Sequence, residues 1–367
     1  MIIQSLRLVD FRNYESADFT FSDQVNVITG ANAQGKTNLL EALFFLSRGY
    51  SHRASSAADL KRFDSDHFLI KGQILKEDIG HDITVKYAAG KRETLLDGKK
   101  KSPSTLSPVL GVLLFEPDDL RIVKAGPDKR RRFMDEEISG AMPGYLPVLK
   151  KYRRILAQRN ALLKEIAYSA SMASLLDTWD GQLAEAGARV MTYRLSYLKQ
   201  LNQVARKLHG ELSSGAEKLA LFYQNNLIDH FVEREAIEAV FRQRLTEGRG
   251  EDIKRGSTQY GPHVDDIVVH IDGREARKYA SQGQQRTAAV ALKLSQMDIY
   301  HAVNGDYPVV LLDDILSELD ERRQENILSV LDRSQSFITC TDSSFANRYP
   351  EERRRIIRIQ DGREIVL

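Results

Sequence analysis

The chain is short of several things that would settle its class at once. One cysteine in 367 residues, Cys340, excludes an intramolecular disulfide framework. It lies in the strand-like run Phe337-Ile338-Thr339-Cys340-Thr341, where a small buried apolar residue is expected. No stretch approaches the roughly 18 consecutive apolar residues of a spanning helix, and the start lacks the charged-then-apolar order of a targeting segment. The expectation is a cytoplasmic protein with no membrane partner. Charge of one sign is missing too. With 53 Lys and Arg against 51 Asp and Glu, the net charge is only +2, so attraction to a polyanion has to come from clusters. Repeats and low-complexity tracts are absent, and no recognition helix or zinc motif announces base readout.

What is present is ordinary in bulk. At 42% hydrophobic and 28% charged residues, the chain is long enough for two or three domains with a sizeable core. Its basic residues do cluster, as Lys99-Lys100-Lys101, Lys129-Arg130-Arg131-Arg132, Lys150-Lys151 with Arg153-Arg154, and Arg353-Arg354-Arg355. One such run is usually a solvated face. Four in a nearly neutral chain point to contact with a phosphate backbone.

The sharpest signal is Gly30-Ala31-Asn32-Ala33-Gln34-Gly35-Lys36-Thr37, which fits the phosphate-binding pattern G-x-x-x-x-G-K-[ST]. Glycines at both ends let backbone N–H groups close around phosphate oxygens, Lys36 can reach the terminal phosphates, and Thr37 can ligate Mg²⁺. Context agrees. Val25-Asn26-Val27-Ile28 reads as a buried strand, and Leu39, Leu40, Leu43, Phe44 and Leu46 recur at helical spacing after the loop.

Around this motif the chain reads as α/β. Residues 2–21 alternate as strands, further strands are expected at 68–75 and 82–87, and Asp97-Gly98 marks a hairpin turn. One more buried strand is expected over 109–115. From about 127 to 249 the texture becomes long-helical, with Leu156, Leu162, Leu163, Ile166, Val190, Leu195, Leu198 and Leu201 at i, i+3, i+4 spacings. Within it, Leu219, Leu221 and Tyr223 alternate as in a strand. After Arg274 the pattern returns to a helix at 283–300, a strand at 308–312, a helix at 321–331 and a strand at 336–341. The expected organisation is an ATPase core over 1–115 plus 295–367, interrupted by a mainly helical lobe over 116–294.

Two later segments complete a constellation. Val309-Val310-Leu311-Leu312 ends in Asp313-Asp314, the apolar run followed by acids that places a carboxylate beside a phosphate-loop Mg²⁺. Ser281-Gln282-Gly283-Gln284-Gln285 opens a helix, and a Ser and a Gly there form an anion-binding cap. The phosphate loop already has its own helix. A second cap therefore suits a γ-phosphate held by another subunit, although an ordinary N-cap has the same sequence.

These residues resemble the ATP-binding-cassette ATPases of DNA maintenance, in which two nucleotides are sandwiched between two subunits, and among them the bacterial recombination mediators. The resemblance rests on Phe11-Arg12-Asn13-Tyr14, on the loop followed by Asn38-Leu39-Leu40-Glu41-Ala42, and on Arg130-Arg131-Arg132-Phe133 with Asp135. It continues through Gly261-Pro262-His263, Asp265-Asp266, Ser281 to Thr287, Leu311 to Asp314, and Ser317-Glu318-Leu319-Asp320. It implies an ABC-type head with an inserted helical lobe, binding ATP and Mg²⁺ and hydrolysing ATP slowly. Lys36 and Thr37 would bind phosphate and metal, Asp313 would support the metal, and Asp314 would be the catalytic carboxylate. Ser281, Gly283 and Gln284 would act in trans, Asp320 would face the dimer, Arg12, Asn13 and Tyr14 would lie near the nucleotide base or ribose, and Asn38 after the loop would also bind the nucleotide. The implied partners are a second copy of the chain, DNA at gaps or junctions, and a RecR-type mediator protein that helps load recombinase.

The sequence departs from that group in two ways. Asp314 stands where most relatives have Glu, and a carboxylate one CH₂ shorter suits a slow switch. Thr341 and Asp342 occupy the place of a histidine γ-phosphate sensor, and the glutamine that links the two lobes is not identified. Long coiled-coil relatives are excluded, because the interval from Thr37 to Ser281 already holds strands and a helical lobe and leaves no room for an arm. A transporter ATPase subunit is the alternative reading, and a small-molecule kinase would leave the Ser281 cap and Asp320 unexplained.

Overall fold

The computed structural model describes residues 1–106, 108–166, 170–228, 233–341 and 343–365. The chain divides into two compact units, Met1–Leu120 with Val290–Leu367, and Arg121–Ala289. In the first unit, β1 (Ile2–Phe11), β2 (Tyr14–Thr20) and β3 (Val25–Thr29) precede helix α1 (Lys36–Arg48). There follow β4 (Phe68–Lys76), β5 (Ile79–Ala88), β6 (Lys91–Leu96), β7 (Lys99–Lys100) and β8 (Val112–Phe115). The second unit holds α2 (Pro127–Ala141), α3 (Tyr145–Ile166), α4 (Leu176–Leu212), β9 (Leu219–Gln224), α5 (Arg234–Glu247) and α6 (Arg249–Arg255). Then come β10 (Asp266–Ile271), β11 (Arg274–Glu275), α7 (Ala276–Tyr279) and α8 (Gln282–Asn304), within which the division falls. The chain ends with β12 (Val309–Leu312), α9 (Glu321–Leu331), β13 (Ser336–Cys340), β14 (Arg354–Gln360) and β15 (Arg363–Ile365).

Two six-stranded sheets build the first unit. One is antiparallel, in the order β2-β1-β4-β5-β6-β7, and its long strands bury roughly alternate residues. The other runs β15-β14-β3-β13-β12-β8 and is parallel except for its edge strand β15. Its strands β3, β12 and β8 are buried at every residue, as strands covered on both faces must be. Helix α1 packs into one core with residues of both sheets, through Leu39, Leu40, Leu43 and Leu46. It stops at Gly49, whose left-handed backbone caps the carbonyl of Phe45.

The second unit is helical around a small sheet. In α4, Leu183, Ala184, Gly187, Val190, Met191, Tyr197, Leu198 and Leu201 form the buried stripe of an amphipathic helix. The sheet β11-β10-β9 is antiparallel. The alternation of Leu219, Leu221 and Tyr223 accounts for β9. Its partner β10, mostly buried and with no strict alternation, has no such signal.

The structure alters other expectations. The strand expected over 109–115 starts only at Val112, because the N–H groups of Val109 and Leu110 turn back to the carbonyl of Leu106. Cys340 is half-buried, since it ends β13 at the sheet rim. Asp342 of the expected sensor position lies outside the described residues. The run Arg353-Arg354-Arg355 leads into and forms the start of β14, within the parallel sheet. Arg354 donates to the carbonyls of Ala346 and Tyr349, and Arg355 pairs with Glu364 at 3.0 Å. Among the described residues, no helix is long and apolar enough to cross a membrane.

Candidate nucleotide site

The parallel register brings the two strongest motifs together. β3 leads into the phosphate loop and β12 into Asp313-Asp314, with β13 between them. Loop and acids thus emerge side by side at the carboxyl ends of the strands, where open α/β sheets bind ligands. The Thr37 hydroxyl donates to Asp313 Oδ1 at 3.0 Å, and the Thr339 hydroxyl from β13 donates to the same oxygen at 2.9 Å. Burial raises the Asp313 carboxyl above its ordinary range, against the lowering effect of these two hydroxyls. Asp314 sits at a left-handed φ of 49°, its N–H donating to Thr339 Oγ1 at 2.8 Å.

Lys36 is almost fully buried, and its Nζ donates to the carbonyls of Gly30 and Ala31 at 2.7 and 3.1 Å. The ammonium is therefore held at the mouth of its own loop. Asn32 and Ala33 form the exposed tip, Ala33 with a left-handed φ of 65°. Such a conformation in a residue with a Cβ requires support, and the turn between β1 and β2 supplies part of it. Asn13 Nδ2 donates to the carbonyl of Gln34 at 2.9 Å, the Tyr14 hydroxyl to that of Gly35 at 2.9 Å, and Asn38 Nδ2 to Asn13 Oδ1 at 2.8 Å.

Arg12 is engaged more deeply than the sequence indicated. Its guanidinium grips Glu41 through both carboxylate oxygens, at 2.8 and 2.7 Å, and donates to the carbonyl of Asp59. Burial pushes the Glu41 carboxyl up, but the hydrogen bonds of Arg12 and Ser51 outweigh it, and the net shift is downward.

The other candidates are placed as follows. Ser281 is exposed in the second unit at the start of α8, where its Oγ accepts from the N–H of Gln284 at 3.2 Å while Gln284 Oε1 accepts from the N–H of Ser281 at 2.8 Å. That is a capping box, the ordinary N-cap geometry, with Gly283 inside the first turn. Gln284 also donates to Glu217 at 3.0 Å. Asp320 caps α9 by accepting from the N–H of Arg323 at 3.0 Å. Two residues escape sequence reasoning. Thr339 has no motif of its own. Glu116, whose charge also reaches Asp313, ends the apolar run of β8 just as Asp313 ends β12, and the same pattern could have found it.

Loop, buried lysine, metal-side hydroxyl and strand-end acids on this sheet define a phosphate-loop ATPase head of the cassette type. Comparison agrees and goes further. Residues 2–364 match the family described as RecF/RecN/SMC N terminal domain. The chain is 38% identical to the DNA replication and repair protein RecF of Halothermothrix orenii, over 99% of this chain and 98% of that protein. It is likewise 38% identical to RecF of Bacillus subtilis strain 168, over 99% of each. A solved structure of the recombination mediator protein RecF with ATP, in the RecFOR pathway, superposes with a TM-score of 0.91 at 36% identity, covering 100% of this chain and 98% of that one. An Smc head bound to a domain of ScpA shares the fold at 17% identity and a TM-score of 0.56. The chain belongs to the RecF/RecN/SMC family, within its RecF branch.

Proposed function

We propose that this protein is a recombination mediator of DNA replication and repair, an ATP-driven homodimer that clamps DNA at gaps or junctions and uses slow hydrolysis as a switch. The observation that carries the reading is the 3.0 Å contact between Thr37 and Asp313, beside a lysine already aimed at the loop mouth. Two adjacent oxygen ligands of that kind fit Mg²⁺, which takes one or two protein oxygens together with phosphate oxygens and water. When bound, the ion neutralises phosphate charge. Lys36 would exchange its carbonyl partners for phosphate oxygens, the loop amides would hold the β- and γ-phosphates, Arg12, Asn13 and Asn38 would border the nucleotide, and Asp314 would orient the attacking water. The first compact unit would be the ATPase core. The second would carry the trans cap at Ser281, Gly283 and Gln284, while Asp320 of the first would face the dimer. A RecR-type mediator protein would be the partner, in the cytoplasm, in loading recombinase onto single-stranded DNA. The relatives named for DNA replication and repair favour this over a transporter subunit.

The test is oligomer size with ATP, with ADP and with neither, for the wild type and Ser281→Arg. ATP alone should give dimers of the wild type. Ser281→Arg should bind ATP as a monomer, its side chain filling the place of the γ-phosphate. Normal dimerisation of the variant would remove the trans role.

A further inference from the structure

We infer that the C-terminal hairpin β14–β15, through Gln34, is a positioning element of the phosphate loop and so part of the nucleotide site. The inference rests on the reading that this loop binds ATP. Three of the eight loop residues, Gly30, Ala33 and Gly35, have left-handed backbones, so the loop shape is not one the chain adopts unaided. The β1–β2 turn gives one support. A second comes from more than 300 positions along the chain.

In that hairpin, Gln360 pairs with Arg363 across a two-residue turn, and Asp361 and Gly362 both have positive φ, of 49° and 70°. Both φ positive is the type I′ form of hairpin turn, and its two central residues lie outside the strand pairing. Here they meet one residue. Asp361 N–H donates to Gln34 Oε1 at 2.6 Å and Gly362 N–H donates to the Gln34 carbonyl at 3.2 Å. The same carbonyl already accepts from Asn13, so Gln34 receives three hydrogen bonds at a position the phosphate-loop pattern leaves open. The fit is also steric. A Cβ on Gly30 would collide with the carbonyl of Ile359 in β14, and a Cβ on Gly362 would collide with the carbonyl of Asn13. Loop, β1–β2 turn and β14–β15 turn thus form one close-packed cluster of backbone, in which both turns meet at the Gln34 carbonyl and touch each other at Gly362 and Asn13.

The consequence concerns binding more than chemistry. A loop held in its phosphate-binding shape before ligand arrives does not have to be ordered on binding, and affinity rises accordingly. Among the described residues neither turn is hydrogen-bonded to Asp314. Loosening the hairpin should therefore weaken ATP and ADP alike and leave the rate at saturating ATP unchanged.

The experiment measures ATP and ADP affinity, KM, kcat and the urea midpoint without nucleotide for the wild type, Gln34→Ala, Gly362→Val and Arg363→Ala. Gln34→Ala removes one hydrogen bond to the loop and should raise both dissociation constants about fivefold. Gly362→Val forces a side chain against Asn13 at a φ it resists and should raise them about tenfold or more. KM should rise in step while kcat stays within about twofold, and Arg363→Ala, an exposed side chain of the same hairpin, should behave as wild type. If Gly362→Val does not fold, Gln34→Ala, at a half-exposed position, still decides. Wild-type affinity in Gln34→Ala, or a lowered urea midpoint with affinity and KM retained, overturns the inference. A wild type that binds no nucleotide overturns the ATP reading instead, and this inference with it.

Discussion

The two compact units put their charged residues to opposite uses. In the first, the closed Arg12–Glu41 pair aside, the polar groups of the site gather at one loop and the strand ends beside it, and among the described residues Lys36 is held by carbonyls it can exchange for phosphate. In the second, buried charges pair mainly with one another. Arg159 is fully buried between Asp180 at 2.6 Å and Asp252 at 2.7 Å, Arg194 donates to Asp135 at 2.8 Å, and Arg130 grips Asp266. The first arrangement is paired provisionally and keeps chemistry available. The second is closed, and its charges specify how helices and sheet fit together.

If the contrast is right, the largest effects of substitution will be functional in the first unit and structural in the second. Lys36→Met should weaken ATP binding at least about a hundredfold, because phosphate charge loses the buried cation of its loop. Asp314→Asn should bind ATP normally but lose about a hundredfold or more in kcat. Both should keep the wild-type urea midpoint. Nucleotide titration, steady-state turnover and urea unfolding separate the three quantities, and an unchanged kcat in Asp314→Asn would remove its catalytic role.

Arg159→Met is the counterpart in the second unit. It leaves Asp180 with Arg249 but Asp252 without an ion pair among the described residues, and breaking a buried pair in this way costs about 3–5 kcal/mol. Urea unfolding should show that loss while the residual folded protein binds ATP as before. A stable variant with weakened ATP binding would contradict the division of labour.

A smaller effect lies within the same closed network. Asp265 is buried with Oδ1 lacking a hydrogen bond among the described residues, Tyr223 donates to its other oxygen, and burial raises its pKa to about 6. Because the folded pKa exceeds the unfolded value near 3.9, the folded state holds the extra proton between those values. Stability from this group is therefore fully present below about pH 4 and lost as pH rises through about 6. Asp265→Asn cannot titrate. Its urea midpoint relative to wild type should rise between about pH 4 and 6 and be flat above about 7, and a constant difference across that range would show that Asp265 titrates alike folded and unfolded.

The contrast also explains what could be read from sequence. The loop, the strand-end acids and the α/β alternation were legible because each is local, a spacing within a few residues that a strand or helix turns into a position. β10, Thr339 and the hairpin's grip on Gln34 were not, because each depends on a partner far along the chain. Ser281 lies at the boundary. Its capping box is what the pattern of residues implies for any helix start, and nothing local distinguishes a cap that also serves a second subunit.

The basic runs lie at the same boundary, and they carry the smallest prediction. As sequence the four are alike. In the structure Arg130 and Arg131 are tied to Asp266, Asp265 and Asp128, and Arg354 and Arg355 are tied into the parallel sheet and its edge. Lys99 to Lys101 and Lys150 with Lys151 are exposed, with surface pairs at 3.3 Å to Glu93 and 3.5 Å to Glu185. Exposed pairs of that kind hold their partners weakly, so these lysines can be given over to phosphates at little cost. Replacing Lys150 and Lys151 together by alanine should leave folding and ATP binding intact and weaken DNA binding uniformly across sequences. For every DNA phosphate that goes un-neutralised in the variant, the slope of log affinity against log salt should fall by about one. Arg130→Ala should instead lower the urea midpoint and change DNA affinity only as far as folding fails. A salt titration of both variants with ATP present decides the matter. If the lysine variant keeps the wild-type slope and Arg130→Ala loses it while folded, the closed charges of the second unit, and not its exposed ones, are those that meet DNA.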